Sequence, residues 1–278
     1  MIAGGGALPV SLARYCRAAG RPLFVIRLKG FADLEFSNFD GADVGLAELG
    51  KAIGALRQAG CLSVCFAGNV ARPNFRNLKP DLRGLSALPG AVAAARRGDD
   101  RLLSFLIGEF EREGFQVEGA HQVMAELTLE AGPMGVHAPG PEHLGDIDRA
   151  MDAARAIGAL DAGQGAVSCD GLILALEAQE GTDAMLARVA GLPEAIRGSS
   201  DRRRGVLAKA CKPSQDARID LPTIGPATLR HAARAGLAGI AGQAGLVLVL
   251  DRATVISLAD ELELFVVGVP PAPPMRPD

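Results

Sequence analysis

Short apolar runs alternate with stretches whose apolar positions recur three and four apart, and this alternation organises the first half of the chain. The spacing predicts helices over residues 8–19 and 46–59, stopped by Gly20 and Gly60. The runs 23–28, 62–67 and 115–118 read as strands, while the residues around Gly41 read as a polar loop. A strand stub over 1–3 leads straight into Gly4-Gly5-Gly6, and its shortness suggests that a few residues precede it. Two further helices are expected over 86–97 and 99–113. The second carries Leu102, Leu103, Phe105, Leu106, Ile107 and Phe110, a broad apolar face suited to core packing or, less often, to a lipid. Apolar runs joined by helical segments favour a parallel sheet with crossover helices.

From residue 130 to 142 the pattern breaks into "EAGPMGVHAPGPE", which reads as a linker between a domain over 1–130 and another over 141–278. The second half predicts helices over 146–157 and 182–190, strands over 165–168, 172–178 and 206–210, and a helix ending at Ala235. The run 244–250 reads as a core strand, too short for the roughly 18 apolar residues of a membrane span, and 264–269 as a last strand. The tail "PPAPPMRPD" is proline-rich.

Composition narrows the function. A net charge of −3 leaves no basic footprint for nucleic acid, and with no Trp and one Tyr there is no base-stacking surface either. The five cysteines have no framework spacing; Cys61 and Cys65 read as small buried thiols of a reduced, cytosolic protein.

Several stretches carry candidate chemistry. In "IAGGGALP" the glycines sit at a strand-to-helix turn that suits a phosphate, but Pro9 stands where the dinucleotide fingerprint needs glycine. "AGNVARP" follows the third predicted strand, placing Asn69 and Arg72 at the ligand end of an open parallel sheet. Gln164 lies between two glycines in "DAGQGAV". "EAQEGTDAML" puts Glu177, Glu180, Thr182 and Asp183 where a strand breaks into a helix, with Thr182 expected as the N-cap. Lys209 falls inside an apolar strand, where a charge needs a partner. Asp220 precedes the helix whose N-cap is Thr223 or Gly225, too early to cap it; with Lys209 and the nearby acids it fits a magnesium–phosphate site. His137 and His143 form only a loose pair, and Arg202-Arg203-Arg204 reads as a solvated face.

Six segments, "IAGGGALP", "FAGNVARP", "GQGAV", "EAQEGTDAM", "VLAKACKP" and "DLPTIG", together resemble the LpxI family of UDP-2,3-diacylglucosamine pyrophosphatases, in order and over residues 2–269. The resemblance implies an α/β protein of two domains, an N-terminal Rossmann-like parallel-sheet domain and a C-terminal mixed α/β domain, with the active site in the cleft between them. It implies magnesium-dependent hydrolysis of UDP-2,3-diacylglucosamine to UMP and 2,3-diacylglucosamine 1-phosphate (lipid X), a step of lipid A biosynthesis in Gram-negative bacteria. On it, Asp220 and Lys209 are the catalytic residues, and Asp220 and Asp183 hold Mg2+. Gly5, Gly6, Ala67, Gly68, Asn69, Gly163, Gln164, Thr182 and Thr223 line the substrate. The expected partners are the amphiphilic nucleotide-sugar lipid and the cytoplasmic face of the inner membrane, met peripherally; a homodimer is compatible.

In the expected mechanism, the Gly-rich turn and Gly68-Asn69 hold the nucleotide side, while the second domain takes the glucosamine phosphate. Lys209 offsets charge on the leaving oxygens, and Asp220 either binds the metal or takes a proton from water. Two rivals compete with this reading. Arg27 and Lys29 after the Gly-rich turn would suit an NADP-type oxidoreductase, and a non-catalytic sensor would bind the same ligand without releasing UMP.

Overall fold

The computed structural model describes residues 1–32, 34–71, 74–212, 216–218 and 221–270. It divides into two units, one of residues 1–125 with the short segment 216–218, the other taking most of 126–270. Arg72, Asp220 and the tail from residue 271 lie outside the described residues.

The first unit runs β1 (Ile2–Ala3), α1 (Ala7–Ala18), β2 (Val25–Leu28), β3 (Gly41–Val44), α2 (Leu49–Gln58), β4 (Ser63–Ala67), α3 (Leu82–Ala95), α4 (Asp99–Arg112), β5 (Gln116–Glu118) and α5 (Ala120–Val123). Its five strands are ordered β3-β2-β1-β4-β5, all parallel, the Rossmann-like arrangement with the first strand central. The helices form where apolar residues recur on one side: α1 buries Pro9, Leu12, Ala13 and Cys16, and α2 buries Ala52, Ile53 and Leu56. Gly20 and Gly60, at φ +65° and +69°, stop these helices in the left-handed conformation that glycine adopts without strain. The polar loop expected around Gly41 is instead strand β3, paired along its length with β2. Arg27 and Asp43, opposite one another in that pair, are joined at 2.7 Å, so the local polarity is satisfied across the sheet.

The second unit runs β6 (Gly132–Met134), α6 (Pro141–Ala159), β7 (Gly165–Cys169), β8 (Leu172–Leu176), α7 (Gly181–Ala190), α8 (Glu194–Arg197), β9 (Val206–Lys209), β10 (Thr223–Ile224), α9 (Pro226–Arg234), β11 (Gly239–Gln243), β12 (Leu248–Val249), α10 (Arg252–Glu261) and β13 (Phe265–Val269). Its main sheet has the order β6-β13-β11-β9-β7-β8, parallel through β13, β11 and β9 and antiparallel elsewhere. Two cores lie on its faces. Ile147, Ala150, Met151 and Ala154 of α6 meet Val206 and Ala208 on one side, and α7, α9 and α10 meet Leu207, Ile240 and Val266 on the other.

The stretch expected as a linker contributes β6, whose Pro133 is tolerated because β6 is an edge strand. The core strand expected over 244–250 is displaced: the buried strand is β11, and 244–250 holds a turn at Gly245 (φ +76°) and the two-residue β12. Asp170-Gly171, both at positive φ, make the two-residue hairpin between β7 and β8. The buried Asp146 of α6 fastens this hairpin by accepting hydrogen bonds from the Ser168 hydroxyl at 2.7 Å and from the Asp170 and Gly171 N–H groups at 2.9 Å each. The basic run is only partly a solvated face: Arg203 donates to the Ala233 carbonyl, and Arg204 binds Asp170 and the carbonyls of Glu194 and Ala195. No helix among the described residues is long and apolar enough to cross a membrane.

Candidate active site

In the first unit the loop after β1 is zipped to the loop after β4. The Gly4 N–H donates to the Ala67 carbonyl at 2.8 Å, Gly5 donates to Asn69 at 2.9 Å, and Asn69 donates back to Gly5 at 2.8 Å. The N–H groups of Gly4 and Gly5 are therefore spent on backbone, which narrows the part of the turn expected to meet a phosphate to Gly6 (φ +92°) and the first turn of α1. Glycine is required at 68, where φ is +91° and an added Cβ would lie 2.6 Å from both the Gly5 carbonyl oxygen and the Pro9 ring. The Asn69 side chain is exposed.

Beside these loops lies a cavity of about 400 Å³. Gly68 and Asn69 border it, and Ile26, Phe66, Leu106 and Phe110 are among its walls. The apolar face of α4 read from the sequence thus lines an open cavity as well as a core, with a volume in the range of small-ligand pockets. Arg27 and Lys29, the cations an NADP phosphate would need, face Asp43 at 2.7 Å and Glu48 at 3.7 Å. The segment that leads toward Asp220 is fastened within the same unit: Arg218 grips Asp216 through both carboxylate oxygens and reaches Glu111 of α4 at 2.8 Å. The guanidinium holds the Asp216 carboxyl below the usual range for an aspartate.

In the second unit, strand alternation sorts β9. Val206 and Ala208 face α6, whereas Leu207 and Lys209 face the side of α7 and α9. Lys209 is 4% exposed. Its Nζ donates to the Thr182 hydroxyl at 2.9 Å and to the Thr223 carbonyl at 2.8 Å. Thr182 in turn donates to Glu177 Oε1 at 2.8 Å. Glu177 is 7% exposed, and its Oε2 and the Oε1 of Gln164 are buried acceptors with no hydrogen-bond partner among the described residues.

The structure therefore brings Thr182, Lys209 and Thr223 together, with Thr223 contributing its carbonyl. Thr182 is not the N-cap of α7: Glu180 holds that position, and Thr182 stands inside the helix with its hydroxyl engaged by Glu177 and Lys209. Gly225 caps α9, with Pro226 in its first turn. Asp183 lies elsewhere, exposed on α7, with its carboxylate 3.0 Å from His231 Nδ1. Gly163 is needed for packing, since an added Cβ would lie 2.1 Å from the Glu177 carbonyl oxygen. His143 packs against the Phe265 ring, and no cluster of three or more His, Cys, Asp or Glu among the described residues suits a metal ion. The sequence groups Glu177 with its neighbouring acids and gives it no role; its contact with Thr182 is made across the turn from β8 into α7.

A Rossmann-like parallel sheet bordered by an apolar cavity in one unit, and a mixed sheet carrying a buried lysine in the other, define an α/β protein of two units. Residues 1–127 match the model of the LpxI N-terminal domain and residues 130–267 that of the LpxI C-terminal domain, so the chain belongs to the LpxI family. It is similar to UDP-2,3-diacylglucosamine pyrophosphatase LpxI of Caulobacter vibrioides, at 63% identity over 271 residues, 98% of this chain and 97% of that one.

Proposed function

We infer that the chain is a UDP-2,3-diacylglucosamine pyrophosphatase of lipid A biosynthesis, cleaving the pyrophosphate bond to give UMP and 2,3-diacylglucosamine 1-phosphate. The observation that carries this reading is the near full-length similarity to a pyrophosphatase of that substrate. The site chemistry agrees with it. A buried ammonium at Lys209 suits the charge that develops on phosphate oxygens, and burial makes it act more strongly than it would in water. The loops around Gly6 and Gly68 suit the nucleotide side, and the cavity walled by α4 suits an acyl chain. Asp220, outside the described residues, is assigned as metal ligand or as the base for the attacking water. A cytoplasmic location against the inner membrane belongs to the same proposal, since the substrate is a lipid.

Magnesium is part of this reading. A magnesium ion in a phosphate site is held by one or two carboxylates together with phosphate oxygens. Among the described residues Asp183 offers an exposed carboxylate and no cluster of three or more His, Cys, Asp or Glu suits the ion, so the carboxylate set rests chiefly on Asp220. Asp220 and Asp183 are the proposed holders; Asp183 would first have to leave His231. When bound, the ion would neutralise the pyrophosphate and polarise the attacked phosphorus. Two tests bear on these assignments. Asp220→Ala should fold normally and lose at least a hundredfold in kcat, and turnover at the parent rate would remove Asp220 from the reaction. Metal stripping with excess EDTA should abolish turnover and added Mg2+ restore it; activity indifferent to EDTA would end the magnesium assignment.

A further inference from the structure

Two strands and the residue that follows a third present a row to one face of the second unit's sheet. Gly165 of β7 is paired with Lys209 of β9 on one side. On its other side the Gly165 carbonyl accepts from the Glu177 N–H at 2.9 Å, just past the end of β8. Glycine in the middle of this row matters, because a Cβ at 165 would lie 2.5 Å from Glu177 Oε2. The carboxylate occupies the space that any side chain at 165 would fill.

Thr182 closes the row from above, two residues inside α7. A threonine hydroxyl has one proton, and an ammonium can only donate, so Thr182 must accept from Lys209 and must spend its own proton on Glu177. The polarity of the chain Lys209–Thr182–Glu177 has no alternative while the lysine is charged. The β8–α7 junction holding this geometry is itself braced: Arg188 of α7 donates to the Leu176 carbonyl at 2.9 Å and to Glu180 at 2.5 Å.

We propose that Glu177 is a positioning residue for Lys209: acting through the Thr182 hydroxyl, it fixes the direction in which the ammonium faces the pyrophosphate. Thr182 and the Thr223 carbonyl each take one of the ammonium's N–H groups, and these two contacts set how it is turned. Without the acceptor at Glu177 the Thr182 hydroxyl is free to rotate, and the ammonium loses one of its fixed points. Misplacement of a charge-stabilising group lowers the rate of the chemical step more than it weakens ground-state binding. The inference rests on the proposed role of Lys209 in the pyrophosphatase reaction.

The test uses steady-state kinetics on UDP-2,3-diacylglucosamine at saturating and at varied Mg2+, with wild type in the same assay. Failure of wild type to release UMP would fault the proposed function; the outcomes that follow presuppose that it turns over. Glu177→Ala is expected to lower kcat at least tenfold with KM within twofold of the parent. Glu177→Gln, whose amide oxygen still accepts from Thr182, should retain at least a third of kcat. Thr182→Val breaks the same link without touching the carboxylate, so it should lose kcat at least as strongly, and adding Glu177→Ala to it should cost no more than a further twofold. If Glu177→Ala does not fold, Thr182→Val and Glu177→Gln carry the same comparison. Parental kcat in Glu177→Ala or in Thr182→Val overturns the proposal. So does a Gln variant as impaired as the Ala variant, or multiplicative losses in the double variant. A loss in Glu177→Ala that high Mg2+ restores would make Glu177 a metal ligand, and would likewise overturn it.

Discussion

Lys209 shows how much a single residue can say before its surroundings are known. A charge in an apolar strand needs partners, and Thr182 and the Thr223 carbonyl are among them. The acceptor beyond Thr182 could not be read in the same way, because Glu177 meets it across the turn from β8 into α7 and sits in space left by the absence of a side chain at 165. Gly68 is a second residue whose requirement is backbone-deep. Gly68→Ala forces positive φ on an L residue and presses a Cβ against the Gly5 carbonyl and Pro9, so about 2 kcal/mol of stability should be lost in denaturant unfolding. A change under 0.5 kcal/mol would contradict the zipped-loop geometry. Cys65 tests burial directly. Desolvation raises its thiol from 9.0 to about 11, two pH units, so the thiolate fraction at pH 8 falls roughly a hundredfold. Alkylation at pH 8, read by mass spectrometry, should reach the half-buried Cys61 well before Cys65; equal rates would contradict the packing around β4.

Among the elements, those with a strong apolar period were legible in the sequence. The helices α1, α2, α4 and α7 and the strands β2, β4, β7 and β13 stand where the pattern puts them, to within a few residues. The missed strands depend on contacts that no local pattern carries. β11 reads "GIAGQ", too glycine-rich to score as a strand, because Gly239 packs under the Phe265 ring and Gly242 under Leu129, where a Cβ would lie 2.4 and 2.7 Å away. β3 is short, carries Asp43, and is stabilised by pairing with β2 that no local pattern reveals. The apolar face of α4 was legible as a face, but whether it met core or cavity depended on walls contributed by β2, β4 and α3, which the pattern along α4 does not reveal. Leu106→Gln, which places a polar group in that cavity wall, should raise KM for the diacylated substrate about tenfold, equivalent to 1.4 kcal/mol of binding, with the fold kept by circular dichroism. An unchanged KM would remove the cavity from substrate binding.

At the scale of the whole molecule, the alternation of strands and helices was enough for an α/β protein in two parts, and six short segments in order were enough for the family. The boundary was less legible. The Gly- and Pro-rich stretch looks like a linker by composition, yet three of its residues complete the edge of the second sheet, and the units divide at 125/126. The central claim is that this chain cleaves the pyrophosphate of UDP-2,3-diacylglucosamine. The most direct test incubates the full chain with that substrate and Mg2+ and follows phosphorus by NMR, with an unacylated UDP-sugar as control. The expected result is the pyrophosphate signals giving way to UMP and 2,3-diacylglucosamine 1-phosphate in equal amounts, with the control left intact. Diacylated substrate that survives unchanged, its pyrophosphate signals undiminished, would contradict the account.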